Sequence, residues 1–404
     1  MEFLDFLKEM LGITNDFGIV NIEKIEHPEK VIRIYLNYLP RDYTLNNKRY
    51  AIYDLCEERE WQHLSWFDYK CYIVCRLPRY VKEDKKVAVI ETNFAPKGRS
   101  YTHLFSSKII TLLQTVRVQK TVAEILQTTA YIVRSVMEDA VEKATNERGL
   151  ITDFENISID EKAYAKGHEY ATILIDSDKE YVIDMQEGRE EKSLETLLYL
   201  VNEQETQPQL KRINIDMWKP YMNIMTKLAP QALLVHDKFH LVKKLSEAIN
   251  KTRQKEVAKN DLLIKQKYTV LKNAENRTVK QQEQFKMIDE ANLKTAQAWH
   301  IRENFKLLFD VCSTQNAKEL LEEWIKESRA KSIYNVNLVL KTFERHLEGI
   351  INAITTRTSS AMHENMNGKI QSVIAKARGF INFERFRINV LFYFGNLKLT
   401  PQKI

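Results

Sequence analysis

An α/β core interrupted by a large all-α insertion, and preceded by a small β-rich module and a helix-turn-helix, is the fold class this sequence predicts. Three observations carry it. Glycine is absent between Arg189 and Glu348, and proline between Gln231 and Thr400, which suits long helices and little else. The stretch 151–240 is richer in chain breakers and β-branched residues, and reads as strands followed by strand–helix units. Residues 1–105 hold short apolar runs of strand length.

The bulk properties set limits. A chain of 404 residues is too long for one ordinary domain. Its 44% hydrophobic and 29% charged residues are those of a soluble globular protein. No apolar run approaches bilayer-spanning length, and the opening "MEFLDFLKEM" lacks the basic region of a signal peptide. The expectation is a cytoplasmic protein with no membrane partner. Cys56, Cys71, Cys75 and Cys312 make no disulfide framework in a chain this long. Cys71 and Cys75 lack the second Cys/His pair that a four-ligand zinc site requires, so buried reduced thiols are expected. The net charge of +6 permits a nucleic-acid partner without requiring one.

Taken in order, 1–105 contains "KVIRIYLNYL", "RYAIYDL", "YKCYIVCRLPRYV" and "KVAVIETNF" as strand-like runs. Residues 106–150 switch to helical periodicity. There "KTVAEILQTTAYIVRSVMEDAVEKA" gives a helix, a polar break at Thr128–Thr129 and a second helix. This is a candidate DNA-binding helix-turn-helix, although any αα-hairpin has the same pattern. Arg134 is the base- or phosphate-seeking side chain of its second helix. "ATNERGLITDFEN" (144–156) reads as a linker.

The core begins with the strand "ISIDEKAY" (157–164), whose alternation sets Ile157 and Ile159 opposite Asp160. A hairpin turning at Asp176–Lys179 follows, then the amphipathic helix "KSLETLLYLVNE" and the strand "KRINIDMWKPY". After that come a helix at roughly 219–228, the strand "ALLVHD" and a helix beginning near His240. Three meandering strands followed by βα units is ribonuclease H-like topology. The first part of this core spans 151–250, the all-helical insertion 251–350, and a closing helix with the C-terminus 351–404. Residues 251–290 carry ten Lys/Arg against six Asp/Glu, which reads first as a solvated helix face.

Metal-dependent phosphodiester chemistry needs hard oxygen ligands brought together by separate elements. In such a sheet the first strand lies beside the fourth, which makes neighbours of Asp160 and Asp216. A third acid should come from a later helix, and the candidate is Glu364, which shares a helical face with Asn367 and Gln371. Asp237 ends the next strand outward and is assigned an accessory role, such as capping the following helix. His240, Lys243 and Lys244 on that helix, and Lys369 on the closing one, are candidate phosphate contacts. Trp299 is a candidate for stacking on an unpaired base, set against the alternative of a buried packing residue.

These residues carry a family resemblance. "INIDMWKPYMNIMTKLAPQALLVHDKFHLVKKLSEAINKTRQKE" (213–256) closely resembles the core of ISL3-family insertion-sequence transposases, with their Asp-(Lys/Arg)-Phe-His signature. The resemblance extends through "IDEKAYAKGHEYATILIDSD" upstream and "HENMNGKIQSVIAKARGFINFERFRINVLFYFGNL" downstream, roughly 50–398 in all. It implies a DDE-type DNA transposase whose catalytic, metal-holding triad is Asp160, Asp216 and Glu364, with Mg²⁺ as the metal and Mn²⁺ as an alternative. It also implies double-stranded DNA partners, namely terminal inverted repeats and target DNA. Concerted joining requires two paired ends, so a homodimer is expected in the DNA complex. Two departures stand out. The family's N-terminal zinc motif has no cysteines at the matching stretches here, so no zinc is expected. Ser359–Ser360 also stand where the family tends to carry Ser-Asn. Two alternatives stay open: a catalytically inactive, transposase-derived DNA-binding protein, and a ribonuclease H-like nuclease without strand transfer.

Overall fold

Buried apolar side chains gather into separate cores, and the chain divides into two units: Met1–Gly149 with Leu397–Ile404, and Leu150–Asn396. The computed structural model describes residues 3–165, 167, 169–356 and 360–399, without the side chains of 360–364.

The first unit opens with α1 (Phe3–Met10), followed by β1 (Phe17–Ile25), β2 (Val31–Tyr38), β3 (Asp42–Leu45) and β4 (Lys48–Leu55). It continues with β5 (Arg59–Trp66), β6 (Tyr69–Cys75), β7 (Pro78–Val81) and β8 (Val87–Val89). Two four-stranded sheets result, ordered β1-β2-β6-β5 and β3-β4-β7-β8. Ile34, Ile73, Trp61 and Phe94 pack in their shared core. The sequence reading missed α1, β1, β3 and β5. It also merged β6 with β7, which are separate strands because Arg76 and Leu77 carry the chain from one sheet to the other. Of "KVAVIETNF" only Val87–Val89 is strand. Cys71 and Cys75 are buried free thiols, and burial pushes both up to about 12.

Three helices complete this unit: α2 (His103–Val116), α3 (Gln119–Ile125) and α4 (Ala130–Arg148). The polar break works as a cap, since Thr129 Oγ1 accepts the Ile132 N–H at 3.2 Å. The expected linker begins later than 144, because α4 runs on to Arg148 and ends at Gly149, whose φ of +62° favours glycine.

In the second unit, β9 (Asn156–Ala165), β10 (Glu169–Asp176) and β11 (Tyr181–Glu187) form an antiparallel meander. Asp176 Oδ1 accepts the N–H groups of Asp178 and Lys179 and so closes the second turn. Then come α5 (Glu191–Asn202), β12 (Arg212–Ile215), α6 (Lys219–Leu228), β13 (Leu233–His236) and α7 (Lys238–Glu256). The sheet order is β11-β10-β9-β12-β13, with β12 parallel to both β9 and β13. The strand expected through Tyr221 stops at Ile215, because Pro220 sits in the first turn of α6, where its missing N–H costs nothing.

The chain from α7 onward is helical among the described residues: α8 (Lys267–Leu271), α9 (Val279–Glu290), α10 (Lys294–Val311), α11 (Ala317–Ala330), α12 (Tyr334–Arg345), α13 (Leu347–Thr356), α14 (Ser360–Ala377) and α15 (Phe383–Phe394), with two short 3₁₀ turns. Leu241, Leu245, Ile249, Phe305, Trp324 and Phe343 share one core. Several contacts tie this helical array to the sheet, among them the following two. Helix α13 approaches β13 so closely that a Cβ on Gly349 would lie 2.5 Å from His236 Cδ2. Arg387 on α15 grips Asp184 on β11 with both ends of its guanidinium, at 2.7 and 2.8 Å. No helix among the described residues is long and apolar enough to cross a membrane.

Candidate carboxylate site

The parallel ladder between β9 and β12 runs in register from Asn156↔Arg212 to Ile159↔Ile215. The next residue on each strand is an aspartate. Asp160 and Asp216 therefore emerge side by side, and they line one small cleft with Asp237, His240, Asn367, Ser158 and Asn214.

Each carboxylate is held twice. Asp160 Oδ1 accepts the Glu161 N–H at 2.8 Å, and its Oδ2 lies 2.9 Å from the Lys162 ammonium. Asp216 Oδ1 accepts the Met217 N–H at 2.6 Å, and its Oδ2 lies 3.2 Å from His240 Nδ1. Burial works against charge on Asp216, but the hydrogen bond and charge of His240 outweigh it and hold the carboxyl below its ordinary range. His240 responds in kind: burial lowers its affinity for a proton, while Asp216, Asp237 and Asp160 raise it further. Glu161 differs. Burial, with repulsion from Asp160 and Asp216, raises its carboxyl against the pull of Arg189.

Asp237 is the N-cap of α7, its Oδ1 accepting the Phe239 N–H at 2.8 Å. The helix thus begins at Lys238, earlier than the sequence suggested, and its first turn brings His240 to Asp216. Helix α14 supplies the remaining contact. Asn367 reaches the cleft, and its Oδ1 is buried without a hydrogen-bond partner. Glu364 stands one turn earlier on α14, on the face that carries Asn367. Its side chain lies outside the described residues, as does Ser359. Among the described residues no group of three or more His, Cys, Asp or Glu is arranged to hold a metal ion. Two carboxylates and an amide oxygen still lacking a partner are hard oxygen donors of the kind that suit a divalent cation.

The other candidates scatter. Lys244 is close enough for its charge to favour ionised Asp216, while Lys243 and Lys369 are exposed on α7 and α14. Arg134, in the other unit, lies over the Tyr131 ring and 3.6 Å from Glu138. Trp299 is no stacking platform. It is buried, its Nε1 donates to the Lys272 carbonyl at 3.0 Å, and its ring packs on Phe285 and Arg277. Sequence reasoning missed Glu161 and Lys162. The acid–acid–base run "DEK" was a signal, but strict strand alternation turns Glu161 away from Asp160.

A mixed α/β protein with paired aspartates where the parallel ladder between two neighbouring strands ends is the class these features define. Residues 157–390 match the family model for ISL3-type DDE transposases. The chain belongs to the ISL3 family of transposases. It is 22% identical to the transposase for insertion sequence element IS1001 of Bordetella parapertussis, over 95% of this chain and 97% of that one. It is likewise 22% identical to the transposase for insertion sequence element IS1557 of Mycobacterium tuberculosis, over 80% of this chain and 78% of that one. As a family member the protein is a DDE-type transposase acting on DNA, and the family normally works with a divalent metal.

Proposed function

We propose that this protein cuts DNA at the terminal inverted repeats of an insertion sequence and joins the freed 3′ ends to target DNA. In this reading β9–β13 with their helices form a ribonuclease H-like core (151–250, closed by 351–404), and 251–350 is an insertion in it. Asp160, Asp216 and Glu364 are its triad. The observation that carries the reading is the β9–β12 register, which delivers two acids from separate elements to one cleft.

Asp160, Asp216 and Glu364 would hold Mg²⁺, with Mn²⁺ able to replace it. The metal would supply Lewis-acid activation of the attacking oxygen and charge neutralisation at the leaving one. The protein's own groups keep the site ready. His240 and the Met217 N–H hold Asp216 ionised and oriented, the Glu161 N–H orients Asp160, and Asn367 offers an amide oxygen. Lys243, Lys244 and Lys369 are assigned to backbone phosphates near the cleft. The β-rich module (1–105) and the helix-turn-helix (106–150), through Arg134, are assigned to end recognition. A homodimer would pair the two ends.

The test is movement of a marker flanked by the element's native borders, with wild type compared with Glu364→Ala. Movement lost in the variant is the expected result. Ends that are cut but never joined would instead indicate a nuclease. DNA binding without movement in either protein would indicate a binding remnant, and movement in both would remove Glu364 from the triad.

A further inference from the structure

The geometry points to a base-stacking site beside the carboxylates, in which Trp218, braced by Arg189 and Tyr170, receives an unpaired base of the DNA being processed. This inference rests on the DNA-transposase reading above and adds a subsite to it.

Trp218 stands two residues after Asp216, at the N-cap of α6, and remains 37% exposed. The other tryptophans of this unit, Trp299 and Trp324, are 7% and 5% exposed and belong to the helical core. The ring is accessible two residues beyond the strand-end aspartate, and its partners give that accessibility a use. The ring is also held still. Its Nε1 donates to the Arg189 carbonyl at 3.2 Å, which satisfies its polar edge. The Arg189 guanidinium lies over the Trp218 ring at 5.3 Å and over the Tyr170 ring at 4.2 Å, so one cation braces two aromatic side chains. Arg189 Nη1 is also 3.9 Å from Glu161, the neighbour of Asp160. A short chain of contacts thus joins the indole to the strand that carries the first aspartate.

This arrangement selects a ligand class. Within a paired duplex the faces of the bases are covered by their neighbours, so away from a blunt end an indole finds a free face only where a base is unstacked. A braced aromatic ring with a half-exposed guanidinium beside it matches a base and its phosphate, and tolerates any sequence because every base has a π-face. The ligand is therefore an unpaired nucleotide at a frayed or already nicked end, seated beside the acids.

Binding can be read apart from chemistry. Fluorescence anisotropy with the full-length protein, in chelator, would compare two labelled random-sequence duplexes: one fully paired, one ending in a short unpaired overhang. Wild type is expected to prefer the overhang. Trp218→Ala should weaken overhang binding about tenfold while leaving the paired duplex unchanged, and Trp218→Phe should restore most of the preference. An alanine variant that keeps the preference overturns the proposal, and so does one that loses both probes equally, because the ring would then be only structural. Joining assays separate this outcome from the parent reading. A protein that shows the Trp218-dependent preference but never joins ends keeps the stacking site and loses strand transfer. One that transposes without any overhang preference loses the stacking site alone.

Discussion

His240 Nδ1 lies 3.2 Å from Asp216 Oδ2, and each residue shifts the other toward its charged form against the cost of burial. The consequence for stability follows from the signs. The His240 contribution is complete below an unfolded imidazole value of about 6.5 and fades as pH rises through its raised folded value. The Asp216 contribution is complete above an unfolded value of about 3.9 and fades as pH falls through its depressed folded value. In metal-free protein, the stability margin of wild type over His240→Gln in urea titrations should be widest between those limits and shrink on either side. A margin that keeps growing above neutrality would refute the pairing.

Two carboxylates lining one cleft should make the reaction depend on a divalent cation. Chelation is expected to abolish end cutting, and added Mg²⁺ or Mn²⁺ to restore it. Asp216→Asn keeps the shape but removes the charge, and should slow cutting by at least about a hundredfold while end binding in gel-shift assays persists. Equal loss of binding and cutting would assign Asp216 to the fold instead.

Much of the core was legible in the sequence because its signals are local. The alternation of "ISIDEKAY" gave β9, the acidic turn after Asp176 gave the β10–β11 hairpin, and the missing glycines and prolines gave the helices from α7 to α13. The β9–β12 pairing was inferred from topology, and the register bears it out. What failed was long-range or mixed. Strand β5, "REWQHLSW", carries Gln62 and His63, both buried, so its pattern is not that of a half-buried strand. Trp299 looked available because nothing local reveals that Lys272, Phe285 and Arg277 fold around it. For Trp218, neither its exposure nor its Arg189 brace is written in the neighbouring residues.

Gly349 is required by the close approach of α13 to β13. An alanine Cβ there would press on the buried His236 ring, at 2.5 Å from Cδ2 and 2.6 Å from Nε2. Gly349→Ala should therefore destabilise the protein by about 1–3 kcal/mol despite alanine's better helix propensity. His236→Ala in the same chain should recover part of that loss, a coupling visible as non-additive urea midpoints. Simple additivity would show that the helix can shift aside freely.

The Arg387–Asp184 grip is the polar fastening of α15 to β11. Arg387→Met keeps much of the apolar stem but strands a largely buried carboxylate, and should cost about 2 kcal/mol. Amide hydrogen exchange should rise first in α15. Unchanged protection there would mean that Phe386, Val390 and Leu391, all fully buried, hold the helix without help.

The cleft is assembled from distant parts of the chain, and that spacing has a consequence in time. Asp160 and Asp216 meet as soon as β12 joins β9, but Asn367 and the rest of α14 leave the ribosome only after the whole helical array. At roughly 5–20 residues per second, the nascent chain carries two aspartates without their third element for on the order of ten seconds. The cleft is therefore complete only near the end of synthesis, once α14 has emerged to bring Asn367 to the two aspartates.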